Sequence, residues 1–182
     1  VADVVAGPVA GVGTSDEIPG VTFSTIPSSH DLRGGFAKPY TRPSSSDEVI
    51  REVFWSHSAP RVLRGMHVQG PAMASAKNVF LTSGAVFDVV LDLRRSSPTY
   101  GQYRAYILDP SVLLHIPPGC AHGFQALEQA QMVYLCDVAY NPASDHGIRY
   151  DSLGIPWPLP GPAVSDRDLG LPVWREYDSP FE

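Results

Sequence analysis

Short runs in which apolar and polar residues alternate, each broken within a few residues by glycine or proline, make up most of the chain. Residues 21–26 (Val-Thr-Phe-Ser-Thr-Ile) follow a period of two, which predicts a strand with one buried face. Further strands are predicted over 61–69, 77–81, 85–93, 103–108 and 112–116, with a turn at Ser83 and Gly84. The run 85–93 is apolar at both parities, so it is predicted to lie buried between two sheets. Residues 123–127 and 132–138 read as a hairpin around Glu128 and Gln129, and helix is predicted only near 46–52. The stretch up to about Gly20 has no clear period and reads as an arm. From Asp151 onward Pro156, Pro158, Pro160 and Pro162 argue against regular structure, and a loop-rich tail is predicted over 151–182.

Eighteen prolines and sixteen glycines in 182 residues leave little room for long helices, and many short strands with such connections predict an all-β fold. The architecture that suits them is a double-sheet jelly roll, the cupin type of barrel, built as one domain over 1–182. A formal charge of -6 without a Lys/Arg run argues against nucleic acid or an anionic membrane as the main partner. No apolar run approaches the ~20 residues that span a bilayer. The two cysteines, Cys120 and Cys136, lack metal-site spacing and read as core residues of a reducing compartment, which predicts a cytoplasmic protein.

The candidate chemistry sits on successive strands. Arg64-Gly65-Met66-His67 is followed by Lys77, by Asp88 and by Pro117-Pro118-Gly119-Cys120-Ala121-His122. A base, an ammonium, a carboxylate and a second imidazole suit proton transfer beside a carbonyl. Such a proton is weakly acidic, so removing it requires a poised base and a cation at the developing enolate oxygen. Lys77 supplies the compact positive charge. His67 needs a carboxylate to fix its tautomer, and Asp168 or, failing that, Asp88 can provide it. Inversion also needs a donor on the opposite face, and Tyr134 fits if nearby positive charge eases its ionisation. Arg64 and His67 are three apart, so a regular strand would point them to opposite faces; Gly65 can bring them together through a bulge.

Each residue also has a plainer role. Asp88 lies inside an apolar strand, where an unpaired ion would cost several kcal/mol, so it must pair or be protonated, and a purely structural ion pair is open to it. His122 can hold its loop, Lys77 can extend from a strand end towards water, and Tyr134 and Tyr140 can be packing aromatics. A metal-dependent cupin is the rival class. It would place two histidines two residues apart with a glutamate shortly after, yet Val68, Gln69 and Gly70 follow His67 and no glutamate occurs between Glu52 and Glu128. No metal is therefore expected. A non-catalytic sugar-binding barrel is a second alternative.

Over about residues 31–168 the chain resembles the nucleotide-sugar 3,5-epimerases of the rhamnose pathway. The resemblance rests on Val62-Leu63-Arg64-Gly65-Met66-His67, Val86-Phe87-Asp88-Val89, Asp92-Leu93-Arg94, Ile116 through Phe124, Tyr134 with Tyr140, and Ser165-Asp166-Arg167-Asp168. It implies that His67 is the base and Asp168 its partner, that Lys77 faces the keto oxygen and that Tyr134 is the acid on the other sugar face. It also implies that Arg33, Arg64, His122, Asp145 and Arg167 contact the bound nucleotide sugar and that Tyr140 stacks on the nucleobase. The family is dimeric, exchanges N-terminal strands and needs no cofactor, so a homodimer without cofactor is expected. The substrate implied is a dTDP-linked 4-keto-6-deoxy sugar. Single-carbon epimerisation and GDP- or CDP-linked sugars stay open, because Lys38 stands where the family usually carries a glutamate.

Overall fold

The computed structural model describes residues 6–13, 17–42 and 49–182. Along them run β1 (Gly7–Gly13), β2 (Thr22–Thr25), β3 (Ser28–Asp31), β4 (Gly34–Ala37), β5 (Glu52–Ser58), β6 (Leu63–Gln69) and β7 (Lys77–Ser83). These are followed by β8 (Val86–Asp92), β9 (Tyr103–Leu108), β10 (Val112–Ile116), β11 (Cys120–Ala126), β12 (Ala130–Cys136) and β13 (Asp145–Gly147). The strands form a six-stranded sheet in the order β1-β9-β8-β11-β6-β13 and a five-stranded sheet in the order β2-β10-β7-β12-β5, while β3 and β4 pair only with each other. All pairings within these sheets are antiparallel, and the two large sheets make the expected jelly roll.

Apolar burial explains the layering. Val79, Leu81, Val86, Val90, Leu108, Leu114, Phe124 and Met132, drawn from both sheets, form the core between them. The opposite parity of β8, Phe87, Val89 and Leu91, packs in a second cluster with Ile155 and Phe181, flanked by Trp157, Trp174 and Tyr177. Phe87 meets Trp157 edge-on at 5.7 Å. The 85–93 run is thus covered on one face by the other sheet and on its second face by the C-terminal segment, where the sequence pattern placed it between two sheets.

Other expectations are corrected. The two runs around Glu128 and Gln129 do not form a hairpin: β11 pairs with β6 and β8, and β12 with β5 and β7. Three connecting residues can span the ~10 Å between stacked sheets, so an apolar run followed by a turn does not specify whether the next strand lies beside or across. Of the predicted helix, residues 46–48 lie outside the described residues, 49–51 are irregular, and Glu52 opens β5. The Val-Phe-Trp sequence of that strand is β-favouring, and tertiary pairing with β12 decides the outcome. In the opening arm β1 joins β9, while residues 1–5 and 14–16 lie outside the described residues. The tail contains a short helix, α1 (Asp166–Leu169), where Ser165 accepts the Asp168 N–H at 3.2 Å and caps the turn.

The feature that positions the site is a register slip. His122 stands opposite His67 and Phe124 opposite Arg64, so three residues of β6 are matched by two of β11. The extra residue lets Arg64 and His67 share one face, as the spacing required. Gly65 has a φ of +123°, and a Cβ there would lie 2.5 Å from Gly123 Cα and 2.8 Å from the His122 carbonyl oxygen. No side chain fits without opening the ladder. Gly65→Ala is therefore expected to destabilise the fold by about 2 kcal/mol or more. Denaturant unfolding checks this, and near wild-type stability would show that the slip tolerates a side chain.

Asp92 closes the turn between β8 and β9. Fully buried, it accepts Arg94 Nε at 2.8 Å, Arg94 Nη2 at 2.9 Å, Ser97 Oγ at 2.6 Å and Thr99 Oγ1 at 2.7 Å. Burial alone would raise its carboxyl, but these donors outweigh it and hold it below the ordinary carboxylate value. The stabilisation is complete above the unfolded value, about pH 4, and is lost as pH falls through the lower folded value. Asp92→Asn should lower the melting temperature at neutral pH, and its gap from wild type should narrow as acid protonates Asp92. A gap constant with pH would separate Asp92 from acid stability.

Candidate active site

A cavity of about 450 Å³ opens between the two sheets. The six-stranded sheet lines it with Arg64 and His67 from β6 and His122 from β11; the five-stranded sheet contributes Lys77 from β7 and Tyr134 from β12. Tyr140, Asp145, Arg167 and Asp168 complete the wall from the segment after β12, from β13 and from α1. Nine of the eleven residues singled out in the sequence therefore meet in one place. Asp88 sits behind the wall, and Arg33 stands away from it.

His67 Nε2 lies 2.8 Å from Asp168 Oδ1, while Asp168 Oδ2 accepts the Gly65 N–H at 3.1 Å. Asp168, and not Asp88, is thus the partner of His67. Burial works to raise the Asp168 carboxyl, but the hydrogen bond and charge of His67, the Gly65 N–H and Arg167 together lower it. With Nε2 turned to a carboxylate that is an acceptor only, the ring keeps Nδ1 available to take a proton.

Asp88 belongs to a second pair. Its Oδ2 lies 2.7 Å from His122 Nε2, with the carboxylate wholly buried and the imidazole nearly so. Asp88 Oδ1 is buried without a hydrogen-bond partner among the described residues. Asp88 pairs with His122, as the ion-pair alternative in the sequence reading allowed, and does not line the cavity. Carboxylate–imidazole pairs thus stand behind both histidines of the wall.

Lys77 opens β7, facing Cys136 across the ladder. Burial pushes its ammonium below the ordinary lysine value, opposed by Cys136, Asp145 and Asp88. A poorly hydrated cation of this kind interacts strongly with an anionic oxygen brought beside it. Tyr134 differs from the sequence expectation. Burial dominates and drives its phenol well above the ordinary tyrosine value; the Ser56 hydroxyl and Arg64 lower it only in part. The group is accordingly a protonated donor and not one whose ionisation is eased.

The rim has its own network. Asp145 Oδ2 accepts the Tyr140 hydroxyl at 2.9 Å and a short hydrogen bond from Arg167. The bond to Asp145 raises the Tyr140 phenol, and the residue is 53% exposed. Arg64 is aimed by β5, donating from Nε to Ser58 Oγ at 3.1 Å and from Nη2 to the His57 carbonyl at 3.0 Å. Arg33 lies in the exposed β3–β4 hairpin, paired with Asp31 at 2.5 Å, so this chain does not bring it to its own cavity.

Sequence reasoning missed the contribution of β5. Glu52, Phe54 and Ser56 all line the cavity, and Glu52 Oε2 accepts the Tyr140 N–H at 2.9 Å. Their period-two spacing in Glu-Val-Phe-Trp-Ser-His-Ser was the available signal. Gln69 was missed as well; its Oε1 accepts the Asn141 N–H at 2.7 Å and its Nε2 donates to the Met73 carbonyl at 3.1 Å, bracing the segment that carries Tyr140. Among the described residues no group of three or more His, Cys, Asp or Glu converges as a metal site would require.

Known proteins are similar to this chain in sequence and fold. A family model described as dTDP-4-dehydrorhamnose 3,5-epimerase matches residues 15–176. A dTDP-4-dehydrorhamnose 3,5-epimerase of Mycolicibacterium smegmatis is 41% identical over 155 residues, covering 80% of this chain and 77% of its own length. Among solved structures, an epimerase of Mycobacterium tuberculosis superposes with a TM-score of 0.83 at 34% identity, over 90% of this chain and 88% of that one. A 3,5-epimerase of Legionella pneumophila in complex with dTDP-4-keto-L-rhamnose gives a TM-score of 0.81 at 31% identity, over 87% and 89% of the two chains. With the family model spanning most of its length and the jelly roll shared, the chain belongs to the dTDP-4-dehydrorhamnose 3,5-epimerase family.

Proposed function

We propose that this protein epimerises carbons 3 and 5 of a dTDP-linked 4-keto-6-deoxy sugar, with its own side chains carrying every proton. The observation that carries this reading is that His67 and Tyr134 line one cavity from opposite sheets, with Lys77 on the same wall. A base and a donor on opposing walls are what inversion demands, because the proton must leave one face of the carbon and return to the other. The Legionella complex supports the choice of sugar.

His67 Nδ1 takes the proton beside the ketone, and the C–H electron pair becomes the enolate double bond as charge moves to the keto oxygen. Lys77 stabilises that oxygen. The effect is strongest while the charge is developing, which is where it lowers the barrier. Asp168 holds the imidazole in place and stabilises the imidazolium that forms. Tyr134 then delivers its proton to the opposite face. The tyrosinate then takes a proton from solvent and the His67 imidazolium releases one to solvent, restoring both groups for the second carbon. Arg64 and Arg167 supply positive charge for the diphosphate, and exposed Tyr140 offers a stacking face for the base.

We further infer a homodimer. The β3–β4 hairpin finds no sheet partner in its own chain among the described residues, its strand residues are all exposed, and Leu32 and Phe36 project from it. A second copy would cover this apolar surface and receive Arg33 at its site. A cytoplasmic location suits the two buried free thiols, Cys120 and Cys136. No helix among the described residues is long and apolar enough to cross a membrane.

Proton NMR of the keto sugar in deuterated water tests the chemistry. His67→Asn should abolish deuterium uptake at both carbons while nucleotide affinity stays within about an order of magnitude, ~1.4 kcal/mol. Wild-type uptake in a folded His67→Asn protein would assign the base elsewhere. Inversion at one carbon alone in the wild-type protein would narrow the activity to a mono-epimerase.

Tyr134→Phe keeps the base, the oxyanion partner and the ring while removing the donor. Deuterium should still enter, mostly from the original face, so labelled starting sugar should accumulate ahead of inverted product. An unchanged ratio of inversion to exchange would return Tyr134 to a packing role.

A further inference from the structure

Phe54 stands directly across from Tyr134 in the β5–β12 ladder. Opposed residues of an antiparallel pair project from the same face, and these two rings stack with centroids 4.5 Å apart and planes 10° from parallel. The phenol oxygen, by contrast, is poorly anchored. Its contact to Ser56 Oγ is 3.4 Å, at the outer limit of a hydrogen bond. The remaining ring neighbour is His122, which meets Tyr134 edge-on at 6.3 Å and 68°. Ring packing, more than this hydrogen bond, therefore holds the ring and the place of the phenol oxygen.

Phe54 is an unusual residue for its place. It lines the cavity between Glu52 and Ser56 of the same strand, is 41% exposed, and belongs to none of the three apolar core clusters. Core packing does not explain it. What its face does cover is Tyr134, which is only 8% exposed. From this geometry we propose that Phe54 is a positioning residue for the inverting proton transfer: its ring fixes the Tyr134 phenol against the cavity wall and so sets how often the enolate is protonated on the far face. The inference rests on Tyr134 being the donor, as argued above. A phenol released from the stack samples more directions and presents its proton to the carbon less often. The enolate then has longer to recover a proton from the face on which His67 lies.

The consequence is a change in partitioning, not in proton removal. Phe54→Leu keeps an apolar cover but removes the stacking face, whereas Phe54→Tyr keeps the ring. In deuterated water, exchange should persist in Phe54→Leu while the ratio of labelled starting sugar to inverted product rises about fivefold, the scale of one aromatic pair. Phe54→Tyr should bring that ratio back to within about twofold of wild type. If Phe54→Leu does not fold, Phe54→Met provides the same comparison.

Equal losses of exchange and inversion in Phe54→Leu would reduce Phe54 to a binding or packing residue and overturn the proposal. So would an unaltered ratio in Phe54→Leu when Tyr134→Phe does alter it. An unaltered ratio in Tyr134→Phe would remove the donor assignment first, and this proposal with it.

Discussion

One carboxylate ties the chemistry of this protein to its fold. Asp168 holds His67 with one oxygen and the Gly65 N–H with the other, so the group that orients the imidazole also anchors the slip in β6 that turns it towards the cavity. The slip depends on absent side chains, since Gly65 and Gly123 approach too closely for a Cβ. Asp168 is in turn placed by α1, whose first turn is capped by Ser165. A segment more than a hundred residues from His67 thereby completes the site.

The jelly roll makes this arrangement useful because its two sheets face one another across a gap. Side chains of Arg64, His67 and His122 enter from one sheet, and those of Lys77, Tyr134 and Phe54 from the other. Opposed walls are the geometry that inversion at a planar enolate requires. Burial then acts on each group: it raises the Tyr134 phenol above the ordinary tyrosine value and lowers the Lys77 ammonium below the ordinary lysine value. Two of the buried carboxylates, Asp88 and Asp168, are each matched by an imidazole, which avoids the cost of an isolated charge in the interior.

Apolar packing holds the walls in place. The inter-sheet core supports one side, while Ile155, Phe181 and the neighbouring tryptophans cover the outer face of β8. The proline-rich tail is structural for this reason. It covers Phe87, Val89 and Leu91, while Asp88, of the opposite parity, points between the sheets towards His122.

Much of this protein was legible along the chain. Short apolar or alternating runs bounded by turn residues located β6 through β12 to within a few residues, because local backbone geometry sets which positions face a covering layer. The chemical set was legible too, since a base, an ammonium and a phenol in glycine-marked strands leave few alternative reactions. Pairing was not legible. A strand sequence states which residues want burial but not which partner supplies it, so β11 and β12 read as a hairpin although they lie in opposite sheets. The same limit hid Glu52 and Phe54, whose strand is defined by its pairing with β12, and left open whether Asp88 or Asp168 serves His67. Sequence by itself determined the strand content and the kinds of side chain that line the cavity, which rest on local periodicity and side-chain chemistry. Tertiary structure alone decided which carboxylate meets which imidazole and which ring covers Tyr134, because those contacts join residues that only the folding of the two sheets brings within reach.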